Sequence, residues 1–315
     1  VSDFATLELP GETTEEELVQ NLYEHWNLLT PSEKAKAHEF IQGALTKKAR
    51  SDFYTYVRLM APVILPEGFI DGKHIKLMSE ELQIVERRTT RSAKLRSPQD
   101  TSPVVLGKRL QIFLPPGSMK SKILNLFVTW ALGRHPMWNI MHIGHSTQFA
   151  EDNMGRQIRD VMNSPEYAEI FPGTLIKKDV KAAGRWETTK GGKYYATGVG
   201  TRIAGRRATA YSSVERPKIN EWYGRGLRTR VLPGGSEIIV NTRWHVDDLS
   251  GYLLKADESS KMPWKVIAIP AILDSYSAGL LGLPVGHSYW PEFWTDAMLL
   301  EKKTDKAFSE AAWNA

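Results

Sequence analysis

The sequence predicts a three-layer α/β fold with a mainly parallel central sheet, preceded by a small helical segment, on three observations. Five short runs, 110–114, 138–144, 194–199, 237–242 and 264–269, have the length and composition of strands. Helical patterns lie between several of them, most clearly at 121–132 and 147–162, and such alternation marks parallel strands joined by crossover helices on both faces. The composition is that of a folded chain: 42% hydrophobic, 24% charged, with ten tryptophans to fill a core.

Taken in chain order, Thr13-Thr14-Glu15-Glu16 precedes apolar residues at Leu18, Leu22, Trp26 and Leu29, a helical spacing behind a cap. Thr30-Pro31-Ser32-Glu33 then supplies an N-cap, a proline at the first helical position and a capping-box glutamate. Residues 1–50 therefore make a helical segment of their own, and 51–315 a larger α/β unit. In the latter, 65–68 (LPEG) is a turn and 75–87 a helix. The stretch 97–105 (SPQDTSPVV) is a polar, proline-bearing connection into the first strand.

The absence of cysteine excludes disulfides, thiolate zinc sites and cysteine nucleophiles. No window holds eighteen consecutive apolar residues, which excludes a membrane-spanning helix and fits a cytosolic setting. The net charge of +5 is unevenly spread: residues 176–231 hold 14 Lys plus Arg against 4 Asp plus Glu, a local +10, so the rest carries −5. A basic stretch of this kind suits phosphate-bearing partners, nucleotide or nucleic acid, or else a solvated loop region.

Residues 110–127, LQIFLPPGSMKSKILNLF, carry the sharpest local signal. An apolar strand (LQIFL) runs into a loop, Pro115-Pro116-Gly117-Ser118-Met119, and Lys120-Ser121 opens a helix. A phosphate-cradling P-loop needs backbone N–H groups turned toward phosphate, a lysine that reaches the β/γ-phosphates and a hydroxyl for Mg²⁺. Lys120 and Ser121 meet the last two needs. The two glycine positions of G-x-x-x-x-G-K-[ST] are occupied by Leu114 and Met119, and a non-glycine residue in the left-handed region costs about 1–2 kcal/mol. On these residues alone, a nucleotide loop and a buried strand with an incidental lysine both remain open.

Further segments follow in the order found in the ATPase part of bacteriophage large terminase subunits, the DNA-packaging motors. LPPGSMKS resembles their degenerate Walker A motif, and HSTQFAEDNMGRQIRDVM is similar to the segment after their second strand. The stretch FPGTLIKKDVKAAGRWETTKGGKYYATGVGTRIAGRRA resembles the approach to Walker B. NEWYGRGLRTRVLPGGSEIIVNTRWHVDDLSGYLL resembles the region of the coupling motif, and SYWPEFW their closing segment. The resemblance spans roughly residues 52–315 and implies a P-loop NTPase of the ASCE/RecA-like class. ATP and Mg²⁺ would be its cofactors, with Pro116, Gly117, Ser118, Met119, Lys120 and Ser121 at the phosphates and Ser121 at the metal. It implies further that Thr242 belongs to the coupling motif that senses the γ-phosphate, and that Arg207, with Arg206 as alternate, is an arginine finger. The implied partners are double-stranded DNA, a portal protein, a small terminase subunit and other copies in a homo-oligomeric ring, a pentamer when assembled and a monomer in isolation. The implied setting is the host-cell cytoplasm. No second cluster of spaced aspartates follows residue 300, which under this resemblance means the motor half without a nuclease domain.

Relatives of that kind carry an apolar strand ending in paired carboxylates just after the GRRA position. Here Ala208 is followed by Thr209-Ala210-Tyr211-Ser212-Ser213-Val214-Glu215. Either a segment is missing between 209 and 215, which the intact flanks favour and which a Cα step well beyond about 3.8 Å would betray, or the acidic pair is lost. Glu215 is then the nearest candidate for the catalytic carboxylate. Asp247 and Asp248 lie beyond the strand 237–242, where Asp247 suits a helix cap better than a metal. His142 and His145 suit packing on a strand, and Trp130, Trp138 and Trp186 suit the core. Trp244-His245 either positions the loop after Thr242 or fills core. Phe53, Tyr54 and His74 mark the region where a base pocket belongs. Beside an ATP-driven packaging motor stand two alternatives: a non-catalytic nucleic-acid-binding protein with a vestigial nucleotide loop, and a helicase-like translocase.

Overall fold

The computed structural model describes residues 14–94, 107–178, 182–199, 212–232, 234–257 and 262–305. They form a mixed α/β molecule, mainly helical, with two three-stranded sheets, one of them all parallel.

The first two helices form for the reasons their sequences give. In α1 (Glu15–Glu24) and α2 (Pro31–Ala49), Thr14 and Thr30 each accept the N3 amide, and Glu17 and Glu33 each reach back to the N-cap amide. Leu18, Leu22, Leu29, Ala37 and Ile41 pack together as an apolar cluster of their own. After them come α3 (Phe53–Ile64), started by Asp52 as N-cap, and α4 (Lys73–Lys94). The predicted turn at 65–68 is present, with Gly68 at φ +119°.

Strand β1 (Arg109–Phe113) leads into α5 (Lys120–Arg134). Next are β2 (Asn139–Gly144) and α6 (Thr147–Ala150), which passes through a π turn (Glu151–Gly155) into α7 (Arg156–Met162). The sequence predicts one unbroken helix over 147–162. The π turn falls where Gly155 approaches another backbone so closely that a Cβ would stand 2.3 Å from the Ala183 carbonyl oxygen. Then follow α8 (Pro165–Ile170), β3 (Arg185–Glu187), β4 (Lys193–Gly198), α9 (Glu215–Trp222), β5 (Glu237–Asn241), α10 (Leu249–Ala256), β6 (Lys265–Ala268), α11 (Ser275–Leu281) and α12 (Asp296–Thr304).

The alternation predicts one central sheet; the described residues form two. In the first, β1 lies between β5 and β6 with all pairs parallel, Arg109 opposite Glu237 and Phe113 opposite both Asn241 and Ala268. Every residue of β1 is buried, because both faces are covered. Leu110, Ile112, Ile238, Val240 and Ile267 join the large core built on α3, α4, α5 and α7, while Ile239 and Val266 meet Tyr223, Leu253 and Trp264 on the opposite face. In the second sheet, β4 pairs in parallel with β2 and in antiparallel with the short β3, which the sequence pattern does not announce. Trp186, Tyr194 and Ala196 enter the same large core. Each fully buried aromatic or branched side chain adds about 1.5–3 kcal/mol to stability. Among the described residues, no helix is long and apolar enough to cross a membrane.

Candidate functional site

The loop between β1 and α5 gathers the residues singled out at 116–121. Gly117 has φ +78° and Met119 φ +59°, ψ +5°; Met119 is the only non-glycine residue at positive φ among the described residues. The loop thus takes the left-handed step that glycine would make cheaply, and Met119 carries the strain of about 1–2 kcal/mol. Met119 offsets part of this by packing its half-buried side chain on the large core. Substituting Met119 by glycine is therefore expected to leave urea stability within about 1 kcal/mol of wild type, since relieved strain balances lost packing. Met119→Val, β-branched and worse at positive φ, is expected to lose about 1–2 kcal/mol. Equal stabilities for the two variants would show that the loop's conformation is not held in the folded chain.

Lys120 is the first residue of α5, and its Nζ donates to the Pro115 carbonyl at 2.9 Å, folding the ammonium back over the loop. Pro116 and Gly117 are exposed, as is the Ser121 hydroxyl's residue, whereas Ser118 is buried with its Oγ unpartnered. An α-helix N-terminus, an ammonium and two positive-φ residues, Gly117 and Met119, on either side of Ser118 are features that suit a phosphate-bearing ligand. The residues fit phosphate well. For Mg²⁺ they offer the Ser121 hydroxyl, and among the described residues no group of three His, Asp or Glu side chains could hold a metal ion.

Thr242 stands where β5 meets this loop. Its Oγ1 donates to the Leu114 carbonyl at 2.9 Å, and the Leu114 amide donates to the Asn241 carbonyl at 3.2 Å, so the end of β5 is tied to the start of the loop. Arg243, which sequence reasoning passed over, lies 4.9 Å above the Phe113 ring and donates to Asp248 at 2.9 Å and to the His245 and Val246 carbonyls at 3.2 Å. Asp248, not Asp247, caps α10 by accepting the Gly251 amide. The expected cap moves by one residue because Asp247 is taken up by Lys255 at 2.6 Å. The Asp247 amide in turn donates to His245 Nδ1 at 2.9 Å, so His245 does shape this loop.

Glu215 opens α9, its amide donating to Ser212 and its carboxylate paired with Lys218 at 2.7 Å, one turn along the same helix. Arg206 and Arg207 lie outside the described residues, as do Thr209, Ala210 and Tyr211, and with them the Cα spacing that would reveal a missing segment.

Of the base-pocket candidates, Phe53 is excluded by burial: it packs against Trp130 at 5.2 Å and Phe127 at 5.4 Å. The Tyr54 hydroxyl donates to Asp71 at 2.5 Å. His74 is buried between Tyr289 and Trp290, with ring centroids 5.0 and 4.9 Å away, and burial pushes its pKa down to about 4 despite the nearby Ser118 backbone. Trp294 comes within 4.0 Å of where a Gly117 Cβ would stand, beneath the Lys302 ammonium. Trp294 ends the SYWPEFW stretch, but nothing in that stretch points to the loop 177 positions earlier that the tertiary fold brings it to.

The remaining histidines and tryptophans pack. His142 is buried beside the Tyr194 hydroxyl, its pKa pushed down to about 4 by desolvation, and His145 rests on Phe149. Trp130 donates to the Ala49 carbonyl, Trp186 stacks on Tyr194 at 4.6 Å, and Trp138 stacks on His135 at 4.2 Å. Comparison with known proteins adds no relative: no protein-family model and no curated sequence matches the chain.

Proposed function

We propose that this chain is the ATPase motor domain of a viral large terminase, a P-loop NTPase of the ASCE/RecA-like kind that hydrolyses ATP to move double-stranded DNA into a procapsid. The observation that carries the proposal is the left-handed Met119 between a buried parallel strand and Lys120 at the head of a 15-residue helix. A phosphate loop calls for a left-handed residue before its lysine, and the left-handed Met119 supports that reading where glycine would be cheaper. The motif resemblance along residues 52–315 and the +10 charge of residues 176–231 support the same assignment.

In this proposal the loop amides and Lys120 hold the β- and γ-phosphates, and Ser121 is the protein's hydroxyl ligand toward Mg²⁺. When bound, that ion would neutralise charge across the phosphate oxygens. Thr242, fastened to Leu114, would register the γ-phosphate and pass its presence to β5. Arg207 or Arg206 would offset charge on the transferring group, and the other cations of 176–231 would meet DNA phosphates without reading sequence. A ring on a portal protein, a small terminase subunit and the host cytoplasm belong to the proposal as its setting.

A second assignment, a non-catalytic nucleic-acid-binding protein, is favoured by one observation: Glu215, the nearest acidic candidate, spends its charge on Lys218. Titration of the chain with a fluorescent non-hydrolysable ATP analogue and Mg²⁺, followed by phosphate release with and without duplex DNA and portal, separates the two. The motor assignment expects analogue binding, weak turnover alone and stimulation by DNA and portal. Analogue binding without turnover in any assembly supports the second assignment, and no analogue binding overturns the nucleotide site itself.

A further inference from the structure

Among the described residues, the second sheet leaves a face open. Parallel strand pairs are ordinarily covered on both sides, yet β4 alternates strictly between buried and exposed along its first four residues. The inner row Ile140, Tyr194 and Trp186 lies against the core. The outer row crosses all three strands as Met141, Tyr195 and Arg185, with Met141 39% and Tyr195 45% exposed. The next outer row is Asn139, Lys193 and Glu187, in which Lys193 keeps 65% of its side chain in solvent. Lys177 flanks this row, 2.8 Å from Glu187, and Lys193 is 3.9 Å from the same carboxylate, so one acid is shared between two ammonium groups. Lys190, at the turn into β4, is exposed. The surface therefore combines a net positive field, a phenol that can donate, and an apolar patch.

We propose that this open face, centred on Arg185, Lys193 and Tyr195, is where the protein meets the backbone of double-stranded DNA. The proposal rests on the assignment of DNA as the moved substrate and adds the surface that holds it. Duplex DNA carries one charge per about 1.7 Å of axis, so a patch of fixed cations gains binding energy by releasing counterions. Arg185 and Lys193 sit in neighbouring rows on adjacent strands, which are about 4.8 Å apart, close enough to bind phosphates of one strand together. Tyr195, between Met141 and Arg185, places its hydroxyl for a phosphate oxygen and its ring against sugar, contacts that position a duplex without selecting sequence.

The test is fluorescence anisotropy of the full chain with a labelled random-sequence duplex across a salt series. Variants are Arg185→Ala/Lys193→Ala, the same pair with Tyr195→Phe, the rescue variant Arg185→Lys, and a control pair removing equal charge elsewhere, Lys36→Ala/Lys76→Ala. Light scattering records the mass of each, and thermal melting confirms the fold. The expected result is that the Arg185/Lys193 pair lowers the slope of log affinity against log salt by about 2, at about 0.9 per phosphate contact. Tyr195→Phe weakens binding further, while Arg185→Lys and the control pair keep the wild-type slope. Wild-type binding with an unchanged slope in the Arg185/Lys193 pair overturns the face and leaves DNA as the substrate. No wild-type binding at any salt overturns both. A wild-type dimer that the Tyr195 variants split, with DNA slopes unmoved, shows the face to be a contact between copies and likewise overturns the proposal.

Discussion

Lys120→Ala is expected to lower ATP turnover by about 10²–10³-fold while leaving the fold intact. A preorganised charge aimed at a transferring phosphoryl group is worth about 3–4 kcal/mol, and Lys120 heads α5 with its ammonium already held over the loop by the Pro115 carbonyl. Alanine is a good residue at the first helical position, so stability should move by no more than about 0.5 kcal/mol. Phosphate release under saturating Mg²⁺ and ATP, with an analogue titration in parallel, gives both quantities. Lysine acting through charge at the phosphates should weaken analogue binding as well as turnover. Wild-type turnover in the alanine variant would sink the assignment of loop 115–121 as the nucleotide site.

The second large effect is structural. Removing Glu237 by Glu237→Ala is expected to cost about 3–5 kcal/mol, because it takes a carboxylate from the buried Arg109 guanidinium and strands the buried Tyr223 hydroxyl. Glu237 is the first residue of β5 and is almost wholly buried; its carboxylate accepts from Arg109 at 3.1 Å, from Arg228 and from the Tyr223 hydroxyl. Asp257 holds Arg109 from the other side at 3.0 Å, and the Arg109 guanidinium lies 5.3 Å over Trp264. Burial pushes Tyr223 up, which keeps it a neutral donor, and burial pulls Arg228 down. This network joins the basic stretch at 228 to the sheet end opposite Thr242. Glu237→Gln, which keeps shape and some hydrogen bonding, should cost about 1–3 kcal/mol. Urea unfolding of the two variants measures the difference. A loss below about 1 kcal/mol for alanine would mean that Asp257 suffices for Arg109 and solvent for the half-exposed Arg228.

Much of this was legible in the sequence because it is local. Both threonine capping boxes, the Pro115–Met119 loop and all five anticipated strands are written in adjacent residues, and their bounds agree with the structure to within a residue or so. The price of Met119 was legible too, since the missing glycine predicts either strain or another path, and strain is what the backbone shows. Tertiary effects were not. Strand β3 is three residues long, too short for a period, and exists only because β4 offers Tyr194 and Tyr195 as partners to Trp186 and Arg185. The cap on α10 slipped from Asp247 to Asp248 because Lys255 competes for the former. Phe53 reads as a ring beside a binding site, but Trp130 and Phe127 close over it. Arg243 reaches Phe113 at the end of β1, and Trp294 reaches the loop, through contacts that no spacing along the chain encodes.

The connectivity of the all-parallel sheet also sets an order of events at the ribosome. Arg109 and its first ladder partner Glu237 are separated by 128 positions, so β1 has no neighbour until that much more chain has emerged. At roughly 5–20 residues per second the wait is about 6–25 s, during which LQIFL stays an orphan segment. The helices α3, α4 and α5, whose contacts are nearer in sequence, can shelter it meanwhile; a nascent chain lacking them would offer chaperones, or other nascent chains, its stickiest five residues.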